Sequence, residues 1–221
     1  MLHSFYLGEF TGEIIARVLS GAINPGGKLP FSMAKRWQDF ASTAHYVEDY
    51  TKAQLSNVFI GQGNPKVRRV WEMEYAEGLF IGYRHFDSAG IEPQFAFGHG
   101  LSYTDFEFSG LQLEIRDGLP HLKLTVTNTG PCPGSEVLQC YVRDLQSSEV
   151  RPQKELKAFE KVFLLPGESK QIALSLPGSA FEFYSESHQR WLVEPGEFEI
   201  LIGVSSREII AKTLVEIDLP A

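Results

Sequence analysis

The chain has 221 residues, enough for one large domain or two small ones with a real core. Hydrophobic residues make up 43% and charged residues 22%, the balance of an ordinary globular protein. Twenty basic against 28 acidic side chains leave a formal charge of −8, which argues against sequence-independent nucleic-acid binding and against an anionic membrane surface as partner.

No apolar run approaches the length that crosses a bilayer. The first residues, Met-Leu-His-Ser-Phe-Tyr-Leu-Gly-Glu, lack the basic and apolar regions of a signal peptide. The two cysteines, Cys132 and Cys140, form no disulfide framework, which fits a reducing compartment. A bridge between them is the minor alternative. Cys140 reads as a small buried hydrophobe inside a strand.

In chain order, residues 10–21 predict a short helix with Thr11 as N-cap and Gly21 as C-cap. Ile14, Ile15, Val18 and Leu19 share one face. Asn24-Pro-Gly-Gly-Lys-Leu-Pro-Phe31 excludes helix and predicts a turn entering an extended segment. Residues 34–70 lack clean periodicity, with a Gly/Asn-rich loop over 56–65 and a solvated basic cluster at Lys66, Arg68 and Arg69. Glu72–Tyr83 reads as partly helical, interrupted by Gly78 and Gly82.

From His121 onward the period changes to two. Strands are predicted over 121–128, 135–143, 155–164, 170–176, 197–203 and 209–217, with a hairpin joining 181–184 to 191–193. Pro166-Gly-Glu and Pro195-Gly-Glu supply the turns. Short strands at this spacing predict an immunoglobulin-like sandwich, with Trp191 in its core or at its edge.

The chain offers few chemical motifs. There is no phosphate loop, no zinc spacing and no Gly-x-Ser-x-Gly elbow, so no metal or cofactor is expected. Glu72, Glu74 and Glu77 cluster beside Trp71 and Tyr75. Carboxylates among rings suit a sugar site, where acids move protons and rings stack on pyranose faces. Aromatics packed into a core beside surface acids give the same pattern.

Several segments together resemble the C-terminal part of family 3 glycoside hydrolases of the β-glucosidase type. They are Leu2–Ala16, Asn24-Pro-Gly-Gly-Lys-Leu-Pro30, Tyr75–Asp87 with Glu77-Gly78 and Gly82-Tyr-Arg84, and Phe97-Gly-His-Gly-Leu-Ser-Tyr-Thr-Asp-Phe106. Gly134–Val142, Arg151–Phe159 and Val193–Phe198 are similar to that family's fibronectin type III-like domain. The resemblance runs nearly end to end in order and spacing. It implies a mainly β chain: a fibronectin III-like sandwich over 107–221, preceded over 1–106 by an incomplete remnant of the family's α/β-sandwich domain.

In such a family the nucleophilic aspartate belongs to an N-terminal (β/α)8 barrel, and the acid/base lies upstream of the segment matched by Leu2–Ala16. A retaining mechanism needs both carboxyls, roughly 5–5.5 Å apart. The chain is therefore expected to be a C-terminal fragment, inactive alone, with no catalytic residue of its own. Its β-glucoside substrate is engaged only in the full enzyme, through contacts with the barrel and a rim of Trp71, Tyr75, Arg84 or His85. The compartment stays open between cytoplasmic and secreted. Residues 1–70 are expected to be poorly ordered in isolation, because their sheet lacks neighbours, whereas the sandwich has its own core. The resemblance leaves two other readings: a non-catalytic scaffold or interaction module, and an autonomous carbohydrate-binding protein.

Overall fold

The computed structural model describes residues 2–45 and 75–218 in full, and the backbone of 54–58 and 66–70. A 3₁₀ turn, Gly8–Phe10, leads into helix α1, Thr11–Leu19. Thr11 is thus the first helical residue rather than the cap, and its hydroxyl donates back to Gly8 O at 2.6 Å. Gly21 ends the helix as expected, at φ +77° with its N–H on Val18 O, a conformation that suits a residue without Cβ.

Strands β1, Gln54–Val58, and β2, Lys66–Val70, form an antiparallel pair where sequence reading placed loop. Gln, Ser, Asn, Lys and Arg spread through both strands leave no period-two signal to read. Helix α2 spans Gly82–Ser88, later than the predicted 72–83. Gly78 and Gly82 both sit at positive φ, which confines the preceding described residues to turns. Residues 72–74 lie outside the described ones.

Nine strands follow: β3 Phe106–Arg116, β4 Leu119–Asn128, β5 Gly134–Asp144, β6 Glu155–Leu164, β7 Ser169–Ser175, β8 Phe183–Ser185, β9 Arg190–Leu192, β10 Gly196–Gly203 and β11 Ile209–Ile217. They make a four-stranded sheet, β11-β10-β5-β6, a three-stranded sheet, β3-β4-β7, and the β8–β9 hairpin. All pairings are antiparallel. Strand β3 was absent from the sequence reading. Its alternation changes phase at a bulge, where Gly110 takes φ +64° and the register shifts between Ser109 and Gln112. Phe106 and Phe108 before it, and Leu111 and Leu113 after it, still all reach the core.

The core lies between the two sheets. Leu122, Leu124 and Val126 of β4 and Ile172 and Leu174 of β7 meet Leu138, Cys140 and Val142 of β5, with Phe198, Ile200 and Ile202 of β10. Phe181 packs edge-on to Phe198 at 5.1 Å between centroids. Cys140 is fully buried and unpaired, and burial pushes its thiol up to about 12. Cys132 is also a free thiol, so the two cysteines are not bridged.

At the end of β4, Asn128 is fully buried and fully engaged. Its Oδ1 accepts from Thr104 Oγ1 at 2.6 Å and from the Gly130 N–H at 3.1 Å, while Nδ2 donates to Cys132 O and Leu164 O. Asn128→Ala strands these partners away from water and is expected to destabilise the chain by about 3 kcal/mol in urea unfolding. A loss under about 1 kcal/mol would contradict this role.

Candidate functional site

The turn Asn24–Lys28 bends over the start of β5. Asn24 Oδ1 accepts from Ser102 Oγ at 3.0 Å and the Tyr103 N–H at 2.8 Å, and its Nδ2 donates to Pro133 O at 2.9 Å. Lys161 of β6 donates to Gly26 O at 2.9 Å. Lys28 Nζ reaches Glu136 Oε1 of β5 at 2.6 Å and Gly100 O at 3.0 Å, with both charged side chains nearly buried. Charges removed from water to this extent depend on each other, because either alone is costly.

Leu29–Met33 then runs antiparallel to Gln94–His99. Gly98 donates to Leu29 O at 2.7 Å, Leu29 to His99 O at 2.9 Å and Met33 to Phe95 O at 2.8 Å. This ribbon lies on the outer face of the β5 sheet. Gly98, at φ +80°, approaches buried Gln139 so closely that a Cβ would fall 2.3 Å from its amide nitrogen. Gln139 is fixed in turn: Nε2 donates to Val204 O at 2.9 Å, and Tyr141 Oη donates to Oε1. Burial, reinforced by Tyr83 and Asp87 nearby, raises the Tyr141 pKa, so the phenol stays protonated as this donor.

Helix α2 joins the same face. Tyr83 Oη accepts the Leu156 N–H at 2.9 Å, and its ring packs against Phe97 and Tyr141. The buried Asp87 carboxylate pairs with Lys154 and lies 3.4 Å from Arg207 Nε. Arg207 also donates to Phe86 O and Ile91 O. Arg84 meets Glu155 at 3.1 Å, Arg151 bridges Glu155 and Asp144, and Lys157 lies 3.5 Å from Glu155. Burial alone would raise the Glu155 carboxyl, but Lys157, Arg151 and Arg84 together hold it below the usual carboxylate range. Burial lowers the Lys157 ammonium against the pull of Glu155.

Of the four residues assigned to a substrate rim, three are among the described ones. Trp71 lies outside the described residues. Tyr75 is 78% exposed. Arg84 is committed to Glu155, and His85 Nε2 lies 3.1 Å from Asp39 O with its ring edge-on to Phe86. Among the described residues no three His, Cys, Asp or Glu side chains gather as a metal site. A groove of about 580 Å³ opens instead between Leu2, Phe5, Val18 and Leu19 on one side and Leu29, Met33, Leu101 and Tyr103 on the other. Residues 2–7, at the start of the Leu2–Ala16 segment, pair with no other described residue in a sheet.

The residues that sequence reading missed are Lys28, Gln139, Asp87 and Lys154. Their partners are 108, 41, 67 and 67 positions away, counting Lys28 to Glu136, Gln139 to Gly98 and Asp87 to Lys154. The signal available was the glycine pattern of Gly26-Gly27 and Gly98-His-Gly100, which marks close backbone approach.

Two outcomes test this joint. Gly98→Ala combines positive φ with a clash against an immobilised amide, and is expected to lower unfolding stability by roughly 2–5 kcal/mol; near-neutral behaviour contradicts the contact. Acid should also loosen the joint. The folded Glu155 pKa lies below the unfolded value of about 4.3, so its contribution is complete above about pH 5 and fades as pH falls through the folded value. Glu155→Gln is expected to be less stable near about pH 7 and to show a shallower acid slope than the parent in urea titrations. An unchanged slope contradicts it.

Residues 1–103 match the family model described as glycosyl hydrolase family 3 C-terminal domain, and residues 136–206 match the fibronectin type III-like domain. Thermostable beta-glucosidase B of Acetivibrio thermocellus is 41% identical over 222 residues, which cover 99% of this chain and 27% of that protein. The crystal structure of a family 3 beta-glucosidase from Bifidobacterium adolescentis aligns with a TM-score of 0.83 at 33% identity, over 99% of this chain and 30% of that one. Beta-glucosidase 3B from Thermotoga neapolitana, solved in complex with α-D-glucose, aligns at 0.80 with 36% identity over 95% of this chain and 27% of its own. The chain spans about a quarter of the length of the curated relatives it matches. With both family segments present in one order and joined by the contacts above, the chain belongs to glycoside hydrolase family 3 and corresponds to the C-terminal part of its architecture.

Proposed function

We infer that the chain serves a β-glucosidase as a structural C-terminal part, and that it supports hydrolysis without supplying the reacting carboxyls. The observation that carries this reading is the joint: Lys28–Glu136 and Gly98–Gln139 tie the Asn24–Met33 and Gln94–Gly100 segments to the sandwich strands. The apolar groove beside Leu2 and Phe5 then offers a face on which the barrel-bearing portion of the enzyme can pack. The substrate in this reading is a β-glucoside, held by the complete enzyme. Tyr75, whose ring is largely free, is the rim residue that fits best, while Arg84 and His85 position α2 through their bonds to Glu155 and Asp39.

A chimera tests this directly. Replacing the matching C-terminal region of the Acetivibrio thermocellus enzyme with this chain is expected to preserve hydrolysis of an aryl β-glucoside, whereas the isolated chain gives no turnover above background. A chimera that folds without activity contradicts the structural role, and turnover by the isolated chain contradicts the assignment of chemistry elsewhere.

A further inference from the structure

Among the described residues the β8–β9 hairpin pairs with no other strand. Phe183 and Ser185, with Val193 just beyond β9, face inward and are buried. Strand alternation then turns Tyr184 and Trp191 outward, directly opposite each other. Their centroids are 5.7 Å apart with planes at 72°, and they remain 50% and 63% exposed. Cross-strand packing steadies so short a hairpin by about 0.2–1 kcal/mol. It does not require rings this large to stay in water. Two rings near a right angle form a corner, in which one gives a flat face and the other a wall.

The adjoining turn supplies polar groups. Ser185 Oγ and Ser187 Oγ each lie 3.0 Å from His188 Nδ1, which fixes the imidazole, and Gln189 at φ +53° tightens the turn. The side chains of Glu186, Gln189 and Arg190 have no hydrogen-bond or ion-pair partner among the described residues, although the Arg190 backbone pairs with Ser185 in the ladder. These are free donors and acceptors beside two exposed rings.

The chemistry selects the occupant. A net charge of −8 and the carboxylates of Glu182, Glu186 and Glu194 along this segment disfavour phosphates and anionic lipid. Two half-exposed rings, each burying about 150–250 Å² at most, fall short of the roughly 800 Å² per partner of a stable protein interface. A pyranose fits both parts: its C–H face packs flat on an aromatic ring while its hydroxyls reach the polar rim. We propose that this corner binds a neutral oligosaccharide or polysaccharide chain, stacking one sugar on Trp191 against Tyr184. The proposal stands whether or not the chain completes a hydrolase.

Affinity electrophoresis of the full chain in native gels containing laminarin or hydroxyethylcellulose reads this out. Retardation by either polymer is expected, and Trp191→Ala should weaken it about tenfold or more. Phe159→Ala, which removes a comparably exposed ring (67%) on strand β6, should leave it unchanged. Since Trp191→Ala also removes hairpin packing, a second variant keeps both rings: Glu186→Ala with Gln189→Ala should raise the Kd for cellohexaose about threefold or more, with the thermal midpoint unchanged. No retardation in either gel, equal loss in Trp191→Ala and Phe159→Ala, or an unaltered Kd in the rim variant would each overturn the proposal.

Discussion

Gly98 passes within a missing Cβ of Gln139, and the arrangement of the two segments depends on that approach. The backbone can come so close only because residue 98 has no side chain and accepts positive φ. Gln139 can meet it only because Val204 O and the Tyr141 hydroxyl hold its amide in one orientation. The Leu29–Met33 ribbon, the Lys28–Glu136 pair and Asn24 then follow from where this contact places the chain. Segments joined by a polar linker move independently by default. Here residues 101–106, apart from the buried Thr104, are exposed or half-buried but tied down by hydrogen bonds. The Tyr103 N–H donates to Asn24, Tyr103 Oη to Val18 O and Thr104 Oγ1 to Asn128, which removes that freedom.

The charges around α2 reinforce the same constraint with a different physics. Asp87 is buried and its countercharges, Lys154 and Arg207, both come from the sandwich. Glu155 gathers Arg84 from α2 and Arg151 and Lys157 from its own region. Buried pairs of this kind add little net stability over apolar packing, but breaking one leaves an uncompensated charge. They therefore specify how α2 sits rather than how strongly the chain folds.

The sandwich was legible in the sequence because a half-buried strand writes its burial as alternation. Leu122, Leu124 and Val126 read inward in the sequence and are inward in the structure. Where alternation broke, reading failed: the bulge at Gly110 hid β3, and Gly78 and Gly82 displaced the predicted helix to 82–88. The joint was legible only as two separate glycine-rich turns. Nothing local in Asn24–Pro30 or Phe97–Gly100 states that they share a ribbon on β5, since that contact is made across some 70 positions. The rim assignment to Arg84 and His85 rested on residue type beside a motif, and their partners Glu155 and Asp39 O came only with the fold. The same limit hid the Tyr184–Trp191 corner, because sequence places two aromatics on a hairpin without saying which way they face.

The sequence predicts that residues 1–70 are poorly ordered in isolation, but the ribbon bonds argue the opposite for 24–33, which with 94–100 share the stability of the sandwich. Native-state hydrogen exchange across the whole chain tests it. The amides of Leu29, Met33 and Gly98, each bonded within the ribbon, should exchange with an opening free energy close to that of Leu124 and Ile200 in the core strands. Fast exchange at those three amides while the core strands stay protected would show that the segment frays independently, and would contradict the joint as the element on which the structure depends.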